Sequence, residues 1–273
     1  MDLLLLLKAA IMGIVEGITE FLPISSTGHL ILASELMNFW TKEKSDVFVI
    51  AIQMGAIAAV IYEYWARLWG AATGIVTGEE KGRRLGIGLI LASIPIVIIG
   101  LTLGQTVKAL LFNDIAIAIG LIVGGLIIIW VEKNPPVVRA QEVDDLTIKD
   151  AVWIGLIQVL SLIPGTSRSG ATIIGAMMLG VSRKAATEFS FFLGIPVIVG
   201  AGLLDLYQSY HVFQGATDWA VIAVGLLVSF ISALILIRVL VAYVAKRDFM
   251  IFAWYRIASG LVILLFAFTG WKL

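Results

Sequence analysis

Long apolar stretches with few charged residues recur along the whole chain, and they restrict the folds that are open to it. Of the 273 residues, 60% are hydrophobic and only 14% are charged, whereas a soluble domain carries about 25% charged residues. A helix that crosses a bilayer needs about 17–25 apolar residues. Six stretches suit this length: Val47–Tyr64, Leu85–Thr106, Ile115–Val131, Phe189–Leu204, Trp219–Val241 and Phe252–Trp271. The sequence therefore predicts an all-α, polytopic integral membrane protein that forms a single membrane domain over residues 1–273.

Composition also excludes several classes of function. The formal net charge is zero, so nothing favours a nucleic-acid partner. The chain has no cysteine, which excludes disulfides, thiolate chemistry and cysteine-ligated metals. The N-terminus begins Met1-Asp2 and continues as a leucine string without a basic segment or a small-residue cleavage site. We therefore expect it to be part of the mature protein rather than a signal peptide.

Two proline-bounded polar strings interrupt apolar regions that are otherwise suited to the membrane. Pro23–His29 reads Pro-Ile-Ser-Ser-Thr-Gly-His and interrupts region 3–36. Pro164–Thr172 reads Pro-Gly-Thr-Ser-Arg-Ser-Gly-Ala-Thr and interrupts region 151–187. A charged group at the bilayer centre costs roughly 2.5–3.5 kcal/mol on insertion scales, so such groups usually mark a functional site. The two strings are therefore predicted to carry the chemistry.

Charge in the connecting loops predicts how the chain is threaded, because basic loops stay on the cytoplasmic side. The 205–218 loop has no Lys or Arg, whereas three connections are rich in them: 65–84, 132–150 and 238–256. The span that begins at Phe189 ends at the 205–218 loop on the outside, so it must start on the cytoplasmic side. The basic 132–150 loop, which precedes region 151–187, also lies on the cytoplasmic side. Region 151–187 must enter and return as a re-entrant helical hairpin. The same reasoning places both ends of region 3–36 outside, so we expect two re-entrant hairpins that enter from opposite faces.

The two halves of the chain resemble each other, which indicates an internal repeat. Gly13 followed by Pro23-x-Ser-Ser-x-Gly matches Gly155 followed by Pro164-x-x-Ser-x-Ser-Gly at an offset of roughly 141 residues. Each half reads as one hairpin followed by three spans, and the predicted repeats are 1–134 and 147–273. Hairpins of opposite entry imply an inverted-topology repeat, in which broken helices line a cavity near the midplane.

Glu16 and Glu20 are the acidic candidates. They are four residues apart, so a helix places them on one face. Two like charges there repel unless a cation lies between them or one stays protonated, and Mg²⁺ and Ca²⁺ prefer such oxygen ligands. We interpret the pair as a divalent-cation site. The alternative is a neutralised pair that serves helix packing.

The first polar string offers hydroxyl groups and a histidine. Pro23 should end the first helix. Ser25, Ser26 and Thr27 would then start the next one, where helix N–H groups attract phosphate oxygens. The alternative is that Ser25 and Thr27 are plain N-caps. His29 is one of only two histidines, and beside these groups an acid–base role or a phosphate contact competes with a structural role.

Arg168 is the strongest candidate in the second string. Its guanidinium is always charged and binds phosphate with two parallel N–H donors, and no acidic residue is adjacent to it in sequence. A structural salt bridge from Arg168 to Glu16 or Glu20 is the alternative. Further hydroxyl donors would come from Ser167, Ser169 and Thr172.

Two Gly-x-x-x-Gly spacings occur in the predicted spans. They are typical of close helix packing, and we expect no chemistry from them. The spacings are Gly100/Gly104 and Gly120/Gly124.

Paired carboxylates, hydroxyls at a helix start, a histidine and an arginine suit phosphoryl chemistry on a membrane-embedded substrate. A secondary transporter is the competing class, because inverted repeats with broken helices at the midplane are a transporter architecture. A transporter would need Arg168 and the carboxylates but not the Ser26 hydroxyl. A purely structural scaffold is disfavoured by the cost of burying so many polar groups.

The segments Glu16–His29 (Glu-Gly-Ile-Thr-Glu-Phe-Leu-Pro-Ile-Ser-Ser-Thr-Gly-His) and Pro164–Thr172 resemble the two signature motifs of bacterial undecaprenyl-diphosphate phosphatases, the bacitracin-resistance family. The likeness covers essentially the whole chain. It implies hydrolysis of the terminal phosphate of undecaprenyl diphosphate at the outer (periplasmic) face of the bacterial cytoplasmic (inner) membrane, which recycles the lipid phosphate for peptidoglycan synthesis. It also implies a divalent cation, Mg²⁺ or Ca²⁺. We further expect a homodimer.

The same resemblance implies roles for individual residues. The catalytic set would be Ser26, His29, Glu20 and Glu16, of which the two glutamates would also bind the cation. The diphosphate would be held by Arg168, with help from Ser25, Thr27, Ser167, Ser169 and Thr172. Ser26 would be the nucleophile and His29 an acid–base group. The residues leave open whether Ser26 forms a phosphoenzyme or positions a metal-activated water.

Overall fold

The computed structural model describes residues 3–213 and 215–269, and all extended regular structure within these ranges is helical. The helices are α1 Leu3–Thr19, α2 Ser26–Met37, α3 Lys42–Glu63, α4 Trp65–Thr77, α5 Glu80–Leu111, α6 Asp114–Lys133, α7 Ile148–Gln158, α8 Arg168–Met178, α9 Arg183–Ser209, α10 Ala216–Val244 and α11 Met250–Thr269. Short 3₁₀ turns cover Val143–Asp145, Val159–Leu162 and Tyr210–Val212. The predicted all-α class is confirmed.

Six of these helices are long and apolar enough to cross a membrane: α3, α5, α6, α9, α10 and α11. They coincide with the six predicted spans, although the last predicted span ends at Trp271, which lies outside the described residues. Large apolar side chains cover their outward faces. Leu101 and Ile235, for example, are 70% and 61% exposed. Such a surface suits contact with lipid rather than with water, and it supports a multi-pass membrane protein.

Helix α4 lies in the 65–84 connection, where the loop charges predict only a cytoplasmic link. Its 13 residues are too few to cross a bilayer. It ends at Thr77 and is followed by Gly78, whose φ of 80° is the left-handed conformation that glycine adopts easily. The chain then turns back, and Gly74 of α4 packs directly on the backbone at Gly82 of α5.

The first interrupted region forms two helices, α1 and α2, that are separated by residues 20–25. Pro23 lacks the N–H that would continue α1. Lys8 of α1 donates from Nζ to the carbonyl oxygen of Asn38, just after α2, at 3.1 Å. The end of α2 therefore returns toward the start of α1. Helix α1 packs on α10 at Gly13, where a Cβ would lie only 2.5 Å from the Gly225 carbonyl oxygen.

The second interrupted region forms a broken pair as well, α7 and α8, and the two ends of this region meet. The Arg139 amide donates to the Gly180 carbonyl at 2.8 Å, and the Ser182 amide donates to the Ala140 carbonyl at 2.8 Å. The chain therefore leaves one end of the bundle at α7 and returns to that end before α9. Helix α7 packs on α5 at Gly155, which faces the backbone of Ala92.

Ion pairs place the two broken pairs at opposite ends of the bundle. Near the end of α2, Lys44 of α3 pairs with Asp218 of α10 at 2.7 Å. At the other end of α3, Glu63 pairs with Arg238 at 2.7 Å. Two further ion pairs lie at this second end: Arg67–Asp144, just before α7, and Lys184–Glu142, at the start of α9. The α1–α2 turn and the α7–α8 turn meet inside the bundle, where the Ser169 hydroxyl donates to the Leu22 carbonyl oxygen at 2.8 Å.

Two details of the sequence interpretation are wrong. Arg256 does not belong to a basic loop: α11 already begins at Met250, and Arg256 is 1% exposed within it. Close packing at Gly100 and Gly104 is not found within the described residues, since nothing lies within 4 Å of a Cβ built at either position. Spacing alone does not fix which helix face meets a neighbour, and these two glycines face outward from the chain's own helices.

Candidate functional site

Both turns place a serine in an unusual backbone conformation directly before a helix. Ser25 precedes α2 and Ser167 precedes α8, each with φ 71°. A positive φ is uncommon for a residue with a side chain, and it costs about 1–3 kcal/mol where the surrounding structure imposes it. The sharp change of direction brings the N-termini of α2 and α8 to the junction between the turns.

The two turns meet at the carboxylate of Glu20. The Ser26 hydroxyl donates to Glu20 Oε2 at 2.6 Å, and Arg168 donates from Nη2 to Glu20 Oε1 at 3.0 Å. Glu20 and Ser26 are 7% and 8% exposed, so both contacts lie in an interior where hydrogen bonds are electrostatically stronger than in water. One carboxylate thus joins a hydroxyl of its own turn to a guanidinium of the other. The salt bridge that the alternative interpretation of Arg168 predicts is present, with Glu20 as the partner.

The Arg168 guanidinium is positioned by α9. Its Nη1 donates to the carbonyl oxygen of Ser190 at 2.8 Å. A Cβ at Gly194 would lie 2.7 Å from the same nitrogen, so the glycine leaves room for the guanidinium. The Ser190 carbonyl of α9 and the Glu20 carboxylate together orient the guanidinium.

A cavity of about 210 Å³ opens beside the Glu20 carboxylate. Its polar wall includes Glu20, Ser25, Ser26, Thr27, Ser167 and Arg168. Its apolar wall follows α5, α9 and the connection between α5 and α6, with Ile96, Phe112, Val197, Ile198 and Ala201. A cavity with these two walls suits a molecule that has an anionic head and an apolar body.

Two of the predicted binding hydroxyls lie behind the cavity surface. Ser169 is 1% exposed, and its hydroxyl donates to the Leu22 carbonyl at 2.8 Å, which joins the second turn to the first. Thr172 is 0% exposed and shares a hydrogen bond of 2.6 Å with the Ser190 hydroxyl. Both side chains therefore hold the turns in place, and neither lines the cavity.

Ser25 and Ser167 share a backbone conformation but use their hydroxyls differently. Ser167 Oγ accepts from the Gly170 amide at 3.1 Å and caps α8. Ser25 makes no such capping bond within the part of the chain that the structure describes. The interpretation of Ser25 as a plain N-cap is therefore wrong, and Ser25 is one of the residues that line the cavity.

The His29 ring lies between α2 and α11. Nδ1 is 2.8 Å from the Ser25 carbonyl oxygen, which can only accept, so Nδ1 carries the hydrogen and donates. Nε2 is 2.6 Å from the Tyr255 hydroxyl, and the two rings stack with their centroids 5.6 Å apart. Both ring nitrogens therefore have a hydrogen-bond partner, and His29 itself does not line the cavity.

Glu16 lies one helical turn before Glu20 and is 0% exposed. Neither of its carboxylate oxygens has a hydrogen-bond partner among the described residues, and a buried polar group in that state is costly. Over residues 3–213 and 215–269, no group of three or more His, Cys, Asp or Glu side chains could hold a metal ion. Glu16 and Glu20 are the two carboxylates that would be available to a divalent cation here, and its remaining oxygen ligands would have to come from a bound molecule.

Two residues of α11 reach the site although neither belongs to a polar string. Tyr255 contacts His29, and Arg256 reaches carbonyl oxygens of both turns. The sequence signal for Arg256 is its place in the apolar stretch Phe252–Trp271, where an ionisable residue is costly. Tyr255 has no comparable signal, because aromatic residues are common in membrane helices.

Relatives of known name extend over the whole chain. The family model described as Bacitracin resistance protein BacA matches residues 9–262. The chain is 82% identical to Undecaprenyl-diphosphatase 1 of Acinetobacter baylyi over 273 residues, 100% of both chains. It is 60% identical to Undecaprenyl-diphosphatase of Psychrobacter sp., over 98% of this chain and 97% of the relative. It is 52% identical to Undecaprenyl-diphosphatase 2 of Rhodospirillum rubrum, over 99% of this chain and 98% of the relative.

Proposed function

The chain belongs to the BacA bacitracin resistance family, and from this premise we infer that it is an undecaprenyl-diphosphatase. It hydrolyses undecaprenyl diphosphate to undecaprenyl phosphate and inorganic phosphate, which recycles the lipid carrier for peptidoglycan synthesis and confers bacitracin resistance. The observation that carries this function is the Glu20 carboxylate, bonded both to the Ser26 hydroxyl and to Arg168. It lies at the polar end of a cavity whose other wall is apolar.

Ser26 is the nucleophile and Glu20 is its base. The Ser26 oxygen attacks the terminal phosphorus while its proton passes to Glu20 Oε2, which already accepts it at 2.6 Å. The bond from phosphorus to the bridging oxygen breaks, and undecaprenyl phosphate leaves with the electron pair. Water then attacks the phosphoserine phosphorus, the bond from phosphorus to the Ser26 oxygen breaks, and Glu20 returns its proton to that oxygen. Inorganic phosphate leaves with the oxygen of the water, and Ser26 and Glu20 are back in their starting states.

Arg168 binds the diphosphate. A planar guanidinium matches phosphate geometry with paired donors, and the entering diphosphate competes with Glu20 for these donors. The movement of Arg168 donors from Glu20 Oε1 to phosphate makes the carboxylate a stronger base for the Ser26 proton, which Oε2 accepts. The N-termini of α2 and α8 also face anions favourably. Further donors on the cavity wall are the hydroxyls of Ser25, Thr27 and Ser167, while Ser169 and Thr172 hold the second turn.

His29 supports the first turn. Its Nδ1–H donates to the carbonyl of Ser25, the residue with the strained φ of 71°. Glu20 rather than His29 is bonded to the Ser26 hydroxyl, so the first proton transfer goes to the carboxylate. His29 acts on the reaction by keeping Ser25 and the start of α2 in place.

Glu16 and Glu20 would hold a divalent cation, Mg²⁺ or Ca²⁺, when the diphosphate is bound. The unpartnered carboxylate of Glu16 supports this assignment. When bound, the cation neutralises part of the negative charge of the diphosphate. Chelation with EDTA is therefore expected to lower phosphate release and to weaken substrate binding.

The α1–α2 and α7–α8 pairs are re-entrant hairpins of an inverted-topology repeat in the bacterial cytoplasmic (inner) membrane. The common φ of Ser25 and Ser167 and the entry of the pairs from opposite bundle ends support this arrangement. The apolar cavity wall runs toward Phe112 and Ala201, near the end that carries the 205–218 loop without Lys or Arg. The site therefore opens to the outer, periplasmic side. The protein is also expected to form a homodimer, which light scattering in detergent would test.

Single cysteines test this topology, because the natural chain has none. Thr41→Cys and Thr217→Cys lie on the expected outer side and should react with a membrane-impermeant maleimide in intact cells. Glu79→Cys and Gln141→Cys lie on the expected inner side and should react only after permeabilisation. All four native side chains are exposed. Labelling of the second pair in intact cells would contradict the assigned orientation.

Phosphate release from undecaprenyl diphosphate by purified, detergent-solubilised protein tests the function. The wild type is expected to release phosphate with Mg²⁺ or Ca²⁺ and to lose activity in EDTA. Ser26→Ala and Arg168→Ala should both lose it. Ser34→Ala is the matched control, since Ser34 lies on α2 and its hydroxyl contacts Ser45 instead of the site. A well-folded wild type that binds the lipid but releases no phosphate would favour a transporter, which needs no Ser26 hydroxyl.

A further inference from the structure

Arg256 is the largest fully buried side chain in the described part of the chain. It belongs to α11, outside both polar strings. Its four hydrogen bonds all go to backbone carbonyl oxygens. A buried charge that is held only by carbonyl dipoles is unusual, since buried charges are normally paired with an opposite charge. The location of those carbonyls gives the reason for its presence.

Two of the carbonyls occupy corresponding places in the two turns. Arg256 donates from Nη1 to the Pro23 carbonyl at 2.9 Å and from Nη2 to the Gly165 carbonyl at 2.9 Å. Pro23 lies three residues before Ser26, and Gly165 lies three residues before Arg168. One rigid guanidinium therefore binds both turns, and in each turn the bound carbonyl lies three residues before the side chain that is proposed to act on the substrate.

The other two carbonyls anchor the guanidinium to α6. Nη2 donates to Gly120 at 3.0 Å, and Nε donates to Leu121 at 3.2 Å. Glycines provide the space: a Cβ at Gly124 would overlap the guanidinium, and a Cβ at Gly170 would lie 2.9 Å from Nη1. The Gly120/Gly124 spacing thus serves an arginine as well as close packing.

We propose that Arg256 is a positioning residue of the hydrolytic site, which fixes the first turn against the second so that Ser26 and Arg168 act on one diphosphate. Arg256 does not line the cavity, so it acts through the two turns and not by touching substrate. Only a planar fork with several N–H donors can reach carbonyls in three separate segments at once. The kinetic part of this proposal rests on the phosphatase activity inferred above.

The first experiment compares Arg256→Lys and Arg256→Met with Arg238→Lys, whose native side chain is a surface residue paired with Glu63. All are measured as monodisperse protein in detergent, per mole of folded protein. Both Arg256 variants are expected to lose at least about ten-fold in kcat, because small misplacement of reacting groups is costly. KM should change by less than about three-fold, since no substrate contact is removed. Arg238→Lys should match the wild type.

Hydrogen exchange gives a readout that does not depend on activity. In Arg256→Lys, peptides that cover residues 20–27 and 162–168 are expected to exchange faster together, while α3 and α9 keep wild-type protection. Gly124→Ala should give the same pattern, because its Cβ displaces the guanidinium without removing the charge. Gly104→Ala is its control, since that position has open space around it within the described chain.

Each outcome decides the proposal. An active wild type together with Arg256→Met at undiminished kcat would overturn it, as would full activity of Gly124→Ala. Faster exchange throughout the protein, or failure of all Arg256 and Gly124 variants to fold while both controls fold, would make Arg256 a general stability residue and overturn the positioning role. An inactive wild type with the expected local exchange would leave the geometric role standing and refute the proposed function.

Discussion

The two turns of this protein have nearly the same backbone conformation, but they carry different functional groups. Each has a serine with φ 71° before a helix, with ψ 94° at Ser25 and 122° at Ser167. The residue that follows is a serine in the first turn and an arginine in the second. The first turn therefore supplies the hydroxyl, with Glu20 beside it, and the second supplies a cation. The shared backbone brings both helix starts to one point, and the side chains that differ are the ones we propose to act on a diphosphate.

The hydroxyls of the two turns also differ in use. The Ser167 hydroxyl accepts from the Gly170 amide and caps α8, whereas the Ser25 hydroxyl makes no capping bond within the described residues. The start of α8 is thus fixed by a bond that the start of α2 lacks.

Glu20→Gln should give the largest loss, because it removes the base from the first turn. The amide keeps the size of the side chain but cannot accept the Ser26 proton, and loss of a general base costs roughly 10²–10⁴-fold. Initial rates of phosphate release measure the effect. Glu35→Gln, an exposed position on α2, is the control. A rate for Glu20→Gln within a few-fold of the wild type would show that Glu20 is not the base.

Arg168→Lys tests whether the second turn needs the geometry of the guanidinium or only its positive charge. Lysine keeps the charge but loses the fork that reaches both Glu20 and Ser190. Loss of one such donor to a developing anion costs roughly 10²–10³-fold, and we expect the lower end of this range because the charge remains. Arg168→Ala should be slower still. Equal rates for the Lys variant and the wild type would make the guanidinium geometry irrelevant.

The matched glycines of the two helices should respond differently. A Cβ at Gly170 would lie 2.9 Å from Arg256 Nη1, whereas a Cβ at Gly28 would meet only Ile117, at 3.8 Å. Gly170→Ala is therefore expected to lower kcat by about ten-fold through displacement of Arg256. Gly28→Ala should stay near the wild-type rate. Equal effects at the two positions would remove the distinction between the turns.

The serines before the helices give the smallest expected difference, in stability. Ser167→Ala removes the cap of α8 and should destabilise the protein by about 1 kcal/mol. Ser25→Ala removes no capping bond and should leave the thermal unfolding midpoint nearly unchanged. Thermal unfolding of both variants in the same detergent measures this. A larger loss for Ser25→Ala would contradict the assigned roles of the two hydroxyls.

Much of the fold could be predicted because its signals are local. Long apolar stretches predict the spans, and Pro23 predicts the break after α1, since proline cannot continue the hydrogen-bond ladder. Loop charge predicts two re-entrant hairpins, and the cysteine labelling proposed above tests the orientation on which they depend. Helix α4 was missed because it is too short to give a membrane signal.

The residues contributed by α11 could not be assigned from the sequence. The partners of Arg256 are backbone carbonyls, which every residue has, so no complementary side chain in the sequence points to them. Tyr255 meets His29 across 226 positions, and that contact depends on how α11 packs. The Glu20–Arg168 pair was foreseen only as one of two pairings, because the sequence does not fix which glutamate faces the second turn.

Transfer of the terminal phosphate to Ser26 is the central claim, and labelled substrate tests it most directly. Undecaprenyl diphosphate labelled on its terminal phosphate is mixed with the protein, the reaction is stopped during turnover, and the label is located by mass spectrometry. The wild type is expected to carry transient label on Ser26, and Ser26→Ala should carry none and release almost no phosphate. Phosphate release by Ser26→Ala at the wild-type rate, without label on the wild-type Ser26, would contradict the account.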